Sequence, residues 1–153
     1  MTDRYPIVTD IVPSQKTVEV LKNLLFSSNG ILTAHLSYLY QSWNVSRQNK
    51  KLGDYFKLLS VNDGEILNAL GNIIFAFGGD PIFMTSNRNN WSSGSLRLSR
   101  EGFVDGAILL EQNIIRQLKS AIEYVENESL KHLLSSIKED KEKIVQDLTN
   151  LSF

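Results

Sequence analysis

The chain has 153 residues, enough for one domain whose core needs no covalent staples. It contains no cysteine, which excludes disulfides, thiolate zinc sites, iron–sulfur clusters and cysteine nucleophiles. Basic residues number 16 against 17 acidic ones, and no basic block is present to track a phosphate backbone, so no nucleic-acid partner is expected. The opening segment MTDRYPIVTDIVPSQK lacks the basic flank and apolar core of a signal peptide, and no later run is apolar enough to span a bilayer. The expectation is a soluble cytoplasmic protein with no membrane partner.

Residues 1–13 hold two of the three prolines and show no helical period, so they predict an extended lead-in that lies on the body through Tyr5, Ile7 and Val8. Ser14 is a fair N-cap for a first helix running to about Trp43, with Gly30 as a weak point within it. Its inward seam takes in Leu24, Ser28, Ile31, His35 and Tyr38. The polar stretch NVSRQNKKLGD, residues 44–54, predicts a turn, with the start of the second helix blurred by Gly53. Stepping by fours and threes along that helix gives Leu52, Phe56, Leu59, Asp63, Ile66, Leu70, Ile73 and Phe77, a buried stripe that ends at Gly78-Gly79-Asp80-Pro81. About twenty residues without helical period follow. A loop of that length suits a crossover running the length of a bundle, pinned down by Phe83 and Trp91. The third helix, from about Arg100 to Val125, carries the seam Val104, Ala107, Glu111, Ile114, Leu118, Ala121 and Val125. The fourth follows a break near Asn127, with Leu130, Leu133, Ile137, Asp140, Ile144, Leu148 and Leu151. The predicted fold is all-α: a four-helix bundle over residues 14–153, built as two antiparallel hairpins joined by a long crossover.

Three carboxylates interrupt three apolar seams, each near mid-helix: Asp63, Glu111 and Asp140. Two antiparallel hairpins bring helix midpoints together, so all three could meet. They cannot share a dry pocket as free anions; they must take up protons, bind metal or pair with a cation. Lys143, three residues after Asp140, lies on nearly the same helical face, and His35 is a second inward base. Against this stands a plainer reading, in which each acid reaches solvent at a helix boundary and His35 is a hydrogen-bonded core residue. Serines are plentiful, yet no Gly-x-Ser-x-Gly elbow occurs, and the glycine pair follows a helix instead of preceding one, so it cradles no phosphate. Tyr38, Tyr40 and Trp43 offer more aromatic surface than one seam can bury, which suggests a partner or dimer face.

At this point the residues resemble a known family. The run LTAHLSYLYQS (32–42), the stretch 66–81 ending in GGDP, Trp91 within NNWSSGS, and LLEQNIIRQLKSAI (109–122) are similar to the rubrerythrin-like branch of the ferritin-like superfamily, in particular its small bacterial proteins. The likeness extends over nearly the whole chain. That resemblance implies the ferritin-like bundle fold and two core metal ions, held by a Glu on helix one, Glu-x-x-His on helix two, a Glu on helix three and Glu-x-x-His on helix four. Carried over by position, the helix-one Glu falls at Ile31, the helix-two pair becomes Asp63 and Ile66, the helix-three Glu is Glu111, and the helix-four pair becomes Asp140 and Lys143. Three carboxylates and one lysine are too few donors, and too little negative charge, for a pair of divalent ions.

The expectation is therefore a degenerate site. Asp63, Glu111 and Asp140 would form a vestigial or weak metal site, joined or not by His35, with Ile31, Ile66 and Lys143 standing at substituted ligand positions. An ammonium bridging two carboxylates would satisfy such a pocket without any cofactor; iron or manganese are the metals if one is held. The function implied is that of a non-catalytic, homo-oligomeric binding or structural module, at least a dimer. The alternative is a metal-dependent oxidoreductase of rubrerythrin or manganese-catalase type, reducing peroxide at a rearranged site. Iron storage would require an acidic inner surface that the sequence does not concentrate.

Overall fold

The computed structural model describes residues 5–99 and 101–151. Positions 1–4 of the expected lead-in, Arg100 at the expected start of the third helix, and the last two positions of the bundle domain lie outside the described residues. Among the described residues five α-helices make up the body: α1 (Gln15–Phe26), α2 (Ile31–Ser46), α3 (Lys50–Ala76), α4 (Phe103–Tyr124) and α5 (Glu128–Thr149). A short 3₁₀ turn, Ser93–Ser95, sits between α3 and α4. Among the described residues no helix is long and apolar enough to cross a membrane.

Side-chain caps set three of the helix starts. Ser14 Oγ accepts from Thr17 N, Asn49 Oδ1 from Leu52 N and Asn127 Oδ1 from Leu130 N, each satisfying one otherwise orphaned donor of the first turn. At its far end α3 stops where Gly78 takes φ 93°, a conformation that glycine adopts without strain, and Gly79 N turns back to Ile74 O at 2.9 Å.

The single first helix expected from Ser14 to Trp43 is two helices in the structure. α1 lies beside the C-terminal end of α3, where Ser14 N donates to Phe77 O at 3.1 Å, and α2 lies beside its N-terminal half. Together they form one broken leg antiparallel to α3. The expected turn over 44–54 is also shorter than predicted, because α2 continues to Ser46 and α3 already begins at Lys50. Gly53 belongs inside α3: a Cβ there would lie 2.1 Å from Ser46 Oγ, so the glycine lets α2 and α3 touch and does not break the helix.

From the foot of α3 the crossover travels the length of the bundle along α1 and α2. Asn23 Oδ1 accepts from Ser86 N at 2.8 Å, and the Phe83 ring leans on Phe26 with centroids 5.3 Å apart. Higher up, three buried polar residues of α2 at i, i+4 and i+8 receive it. Thr33 Oγ1 accepts from Trp91 Nε1 (2.9 Å), Ser37 Oγ accepts from Arg97 N (2.9 Å), and Gln41 Nε2 donates to the carbonyls of Arg97 and Ser99 (2.9 and 3.0 Å). Trp91 pins the crossover as expected. Phe83 keeps most of its ring exposed.

The chain therefore runs up through α1 and α2, down α3, up the crossover, down α4 and up α5. Tyr124 at the end of α4 meets Lys16 at the foot, and Asn127 at the start of α5 holds the carbonyl of Thr9 at 2.8 Å. All four legs turn apolar stripes inward, so the core is one cluster in which Leu21, Ile31, Phe56, Ile66, Leu70, Ile114, Leu118, Leu130 and Leu134 are fully enclosed.

Candidate functional site: a buried charge cluster

Four polar groups meet inside this core, one from each leg: Tyr38 of α2, Asp63 of α3, Glu111 of α4 and Lys141 of α5. None is more than 2% exposed. Lys141 Nζ lies 2.5 Å from Asp63 Oδ1, and 3.0 and 3.2 Å from the two oxygens of Glu111. Tyr38 Oη donates to Glu111 Oε2 at 3.0 Å. Among the described residues Asp63 Oδ2 and Glu111 Oε1 have no directed hydrogen bond; Glu111 Oε1 touches the ammonium off the hydrogen-bond axis. On three helices the ionisable residue is followed three positions later by a buried isoleucine: Asp63 and Ile66, Glu111 and Ile114, Lys141 and Ile144. That repeated spacing sets all three charged groups at one level with hydrocarbon one turn away.

Burial pushes both carboxyls up from their ordinary range, and the Lys141 ammonium recovers only part of the cost. For Glu111, to which Asp63 adds its own repulsion, the result is about 7. Burial by itself would lower the lysine, but the two carboxylates outweigh it and hold the amine raised, as an ammonium. Tyr38 is raised well above its usual value, first by burial and then by the charges of Glu111 and Asp63, so its phenol remains a donor.

This balance has a measurable pH dependence. A carboxyl whose folded pKa is above its unfolded one binds its proton more tightly in the native state, so its contribution is greatest in acid and fades as pH rises to about 7. Between pH 5 and pH 7.5 the parent should lose on the order of 2 kcal/mol through Glu111, and Glu111→Gln should flatten that slope. Urea unfolding of both proteins at the two pH values measures it; equal slopes would show that Glu111 does not titrate in this range.

The sequence-predicted residues divide between this cluster and other places. Asp63 and Glu111 come together. Asp140 does not lie in the seam: it is half-buried, and Tyr5 Oη donates to its Oδ2 at 2.7 Å. Lys143 is exposed on the outer face of α5. The seam expected through Asp140 is thus corrected to Leu130, Leu133, Leu134, Ile137, Lys141, Ile144 and Leu148. The ammonium between the carboxylates comes from Lys141, which the sequence reading missed, although Ile137, Lys141, Ile144 and Leu148 step by four, three and four. His35 turns to α3, where Nδ1 lies 2.7 Å from Ser60 O and the ring packs over Gly64, so it clamps α2 to α3. Ile31 and Ile66 are fully buried and place hydrocarbon at the ligand positions to which the resemblance assigns them.

A void of about 10 Å³ touches Tyr38 and Phe56 beneath the crossover. The larger grooves lie elsewhere: about 480 Å³ between α1 and α4 beside Asn23, Arg116 and Tyr124, and about 620 Å³ on α5 near Glu139 and Lys143.

No family model matches the sequence, and no curated protein matches it. Solved structures do match. KatB, a manganese catalase from Anabaena PCC7120, superposes with a TM-score of 0.86 at 18% identity, covering 97% of this chain and 77% of that one. A second structure, of wild-type KatB, gives 0.84 at the same identity and coverage. This chain has the ferritin-like fold. Within that fold, members with a metal core use carboxylates and histidines projecting from all four helices. The ferritin-like core present here does not fit two divalent ions. Two carboxylates and one ammonium leave at most a single net negative charge, the ammonium stands where a metal would have to approach both acids, and the neighbouring positions are isoleucines. Among the described residues no group of three or more His, Cys, Asp or Glu side chains is placed to hold a metal ion.

Proposed function

We propose that this ferritin-like bundle has given up di-metal chemistry and serves as a non-catalytic, homo-oligomeric binding or structural module of the cytoplasm. The observation that carries the reading is the Lys141 ammonium seated between Asp63 and Glu111, 2.5 and 3.0 Å from their oxygens. A metal approaching those two acids would have to displace a tethered cation of like charge. Asp140 and His35, the further donors of a vestigial site, are engaged with Tyr5 and Ser60, and Lys143 lies outside. With Ile31 and Ile66 completing the shell, Asp63 and Glu111 remain as the residue of a site, weak at best. The oligomeric part of the reading draws on exposed apolar residues of the paired α2 and α3 helices, Trp43, Leu58 and Val61, which a second copy would cover.

A second reading, a metal-dependent oxidoreductase acting on peroxide, is favoured by one observation, the likeness to a manganese catalase. It would need ligands other than those gathered around Lys141. Anaerobic loading with iron(II) or manganese(II), desalting and elemental analysis separates the two. Retention below about 0.2 equivalents per chain is expected, with sedimentation giving at least a dimer. Two equivalents together with peroxide turnover would establish the second reading in place of the first.

A further inference from the structure

Lys141 does more in this core than stand in the way of a metal: its geometry gives it a positive task. Each leg of the bundle sends one polar group to the same level, and three of the four are carboxylates or a phenol, groups that cannot hold one another together as anions in a dry core. The only cation among them makes directed hydrogen bonds to α3 through Asp63 and to α4 through Glu111, and Glu111 in turn accepts from α2 through Tyr38. Two further oxygens, Asp63 Oδ2 and Glu111 Oε1, are fully buried without a directed partner among the described residues. They are lone-pair capacity that one ammonium, with three protons, leaves unused.

We propose that Lys141 is a built-in cation that ties all four legs together, and that removing its side chain leaves a cation site, lined by Asp63 and Glu111, open to a small exogenous cation such as a divalent metal ion or an alkylammonium. The inference rests on the metal-free core proposed above. Its chemistry is ordinary: two facing carboxylate heads with free lone pairs, in the space that Lys141→Ala vacates by losing three methylenes and an ammonium, need a positive charge to remain ionised. Methionine at the same position would fill the space and offer no charge.

Thermal unfolding tests this in four proteins: the parent, Lys141→Ala, Lys141→Met, and the neutral triple variant Asp63→Leu/Glu111→Met/Lys141→Met. Each is scanned in sodium chloride and, at matched ionic strength, in manganese(II) chloride or ethylammonium chloride. Both single variants should melt on the order of 10 °C below the parent, because an uncompensated pair of buried acids remains. Manganese(II) or ethylammonium should raise Lys141→Ala by several degrees, or restore its helical circular dichroism if it is unfolded without them, and should leave Lys141→Met unmoved. The triple variant should recover more than half of the loss, since a hydrocarbon core has no charge to balance. Lys141→Met melting within about 2 °C of the parent would overturn the tethering role. A Lys141→Ala protein indifferent to both cations would overturn the site. Metal uptake by the parent would refute the metal-free reading instead, and the melts of Lys141→Met and the triple variant would still decide the role of the lysine.

Discussion

Phe56→Ala is expected to cost about 4 kcal/mol, the largest loss for truncation of a single apolar side chain in this core. Phe56 is fully buried on α3, and its ring stands 5.6 Å from Tyr38 of α2, 5.6 Å from Phe103 at the start of α4 and 6.4 Å from Tyr55. Three elements therefore close around one ring, and backbone held by three helices cannot collapse into the space the ring leaves. The substitution also removes the wall against which Tyr38 rests while it donates to Glu111, so disorder should spread toward the charge cluster. Urea unfolding gives the magnitude, and the near-ultraviolet circular dichroism of the tyrosines reports the loosening. A loss below about 1 kcal/mol would mean that the aromatic group is not a keystone of the upper bundle.

Gly30→Ala should cost about 2 kcal/mol, for a reason unrelated to hydrophobic burial. Gly30 begins α2 at the break in the first leg, and a Cβ there would come within 2.7 Å of Leu24 O and 2.9 Å of Leu25 O, backbone atoms that cannot swing aside. The break itself is held by α4, where Gln117 Nε2 donates to Asn29 O at 2.9 Å and Ser27 Oγ donates to Gln117 Oε1 at 3.2 Å. Moving Gly30 outward would strain those bonds as well as the crossover, whose Arg97 guanidinium reaches Asn29 Oδ1. Unchanged stability in the alanine variant would show that the last turn of α1 gives way at no cost. A larger loss in Gly30→Val than in Gly30→Ala would confirm close approach as the cause.

Both residues show what the sequence exposes and where it stops. Phe56 stands in an apolar stripe whose spacing is legible without coordinates, and so do Asp63 and Glu111, because each has apolar neighbours three or four residues away on both sides. Gly30 is visible as a weak point in a helix. That the chain breaks there, with one helix ended at Phe26 and another starting after Gly30, depends on Gln117, 87 positions away, which supplies a partner for the backbone freed at the break.

The last helix is the sharpest case. Between Ile137 and Ile144 runs KEDKEK, six charged residues with no apolar marker. Two turns of helix separate those isoleucines, and the inward position between them can be reached as three then four residues, giving Asp140, or as four then three, giving Lys141. The two differ by about 100° around the helix axis, so the period cannot choose between them. The long aliphatic stem of lysine allows it to cross a packed core and place its charge at a distance, which a periodicity argument scores as a surface property.

The sequence by itself determined the all-helical class, the long crossover between two hairpins, and that Asp63 and Glu111, expected in the core together with Asp140, would have to take up protons, bind metal or pair with a cation. Tertiary structure alone decided which cation meets them, that Asp140 turns to Tyr5, and that His35 clamps α2 to α3. The reason is physical. Hydrophobic period follows from one helix at a time, whereas the pairing of buried charges is set by distances of a few ångströms between different helices, where an error of one residue moves a side chain from core to solvent.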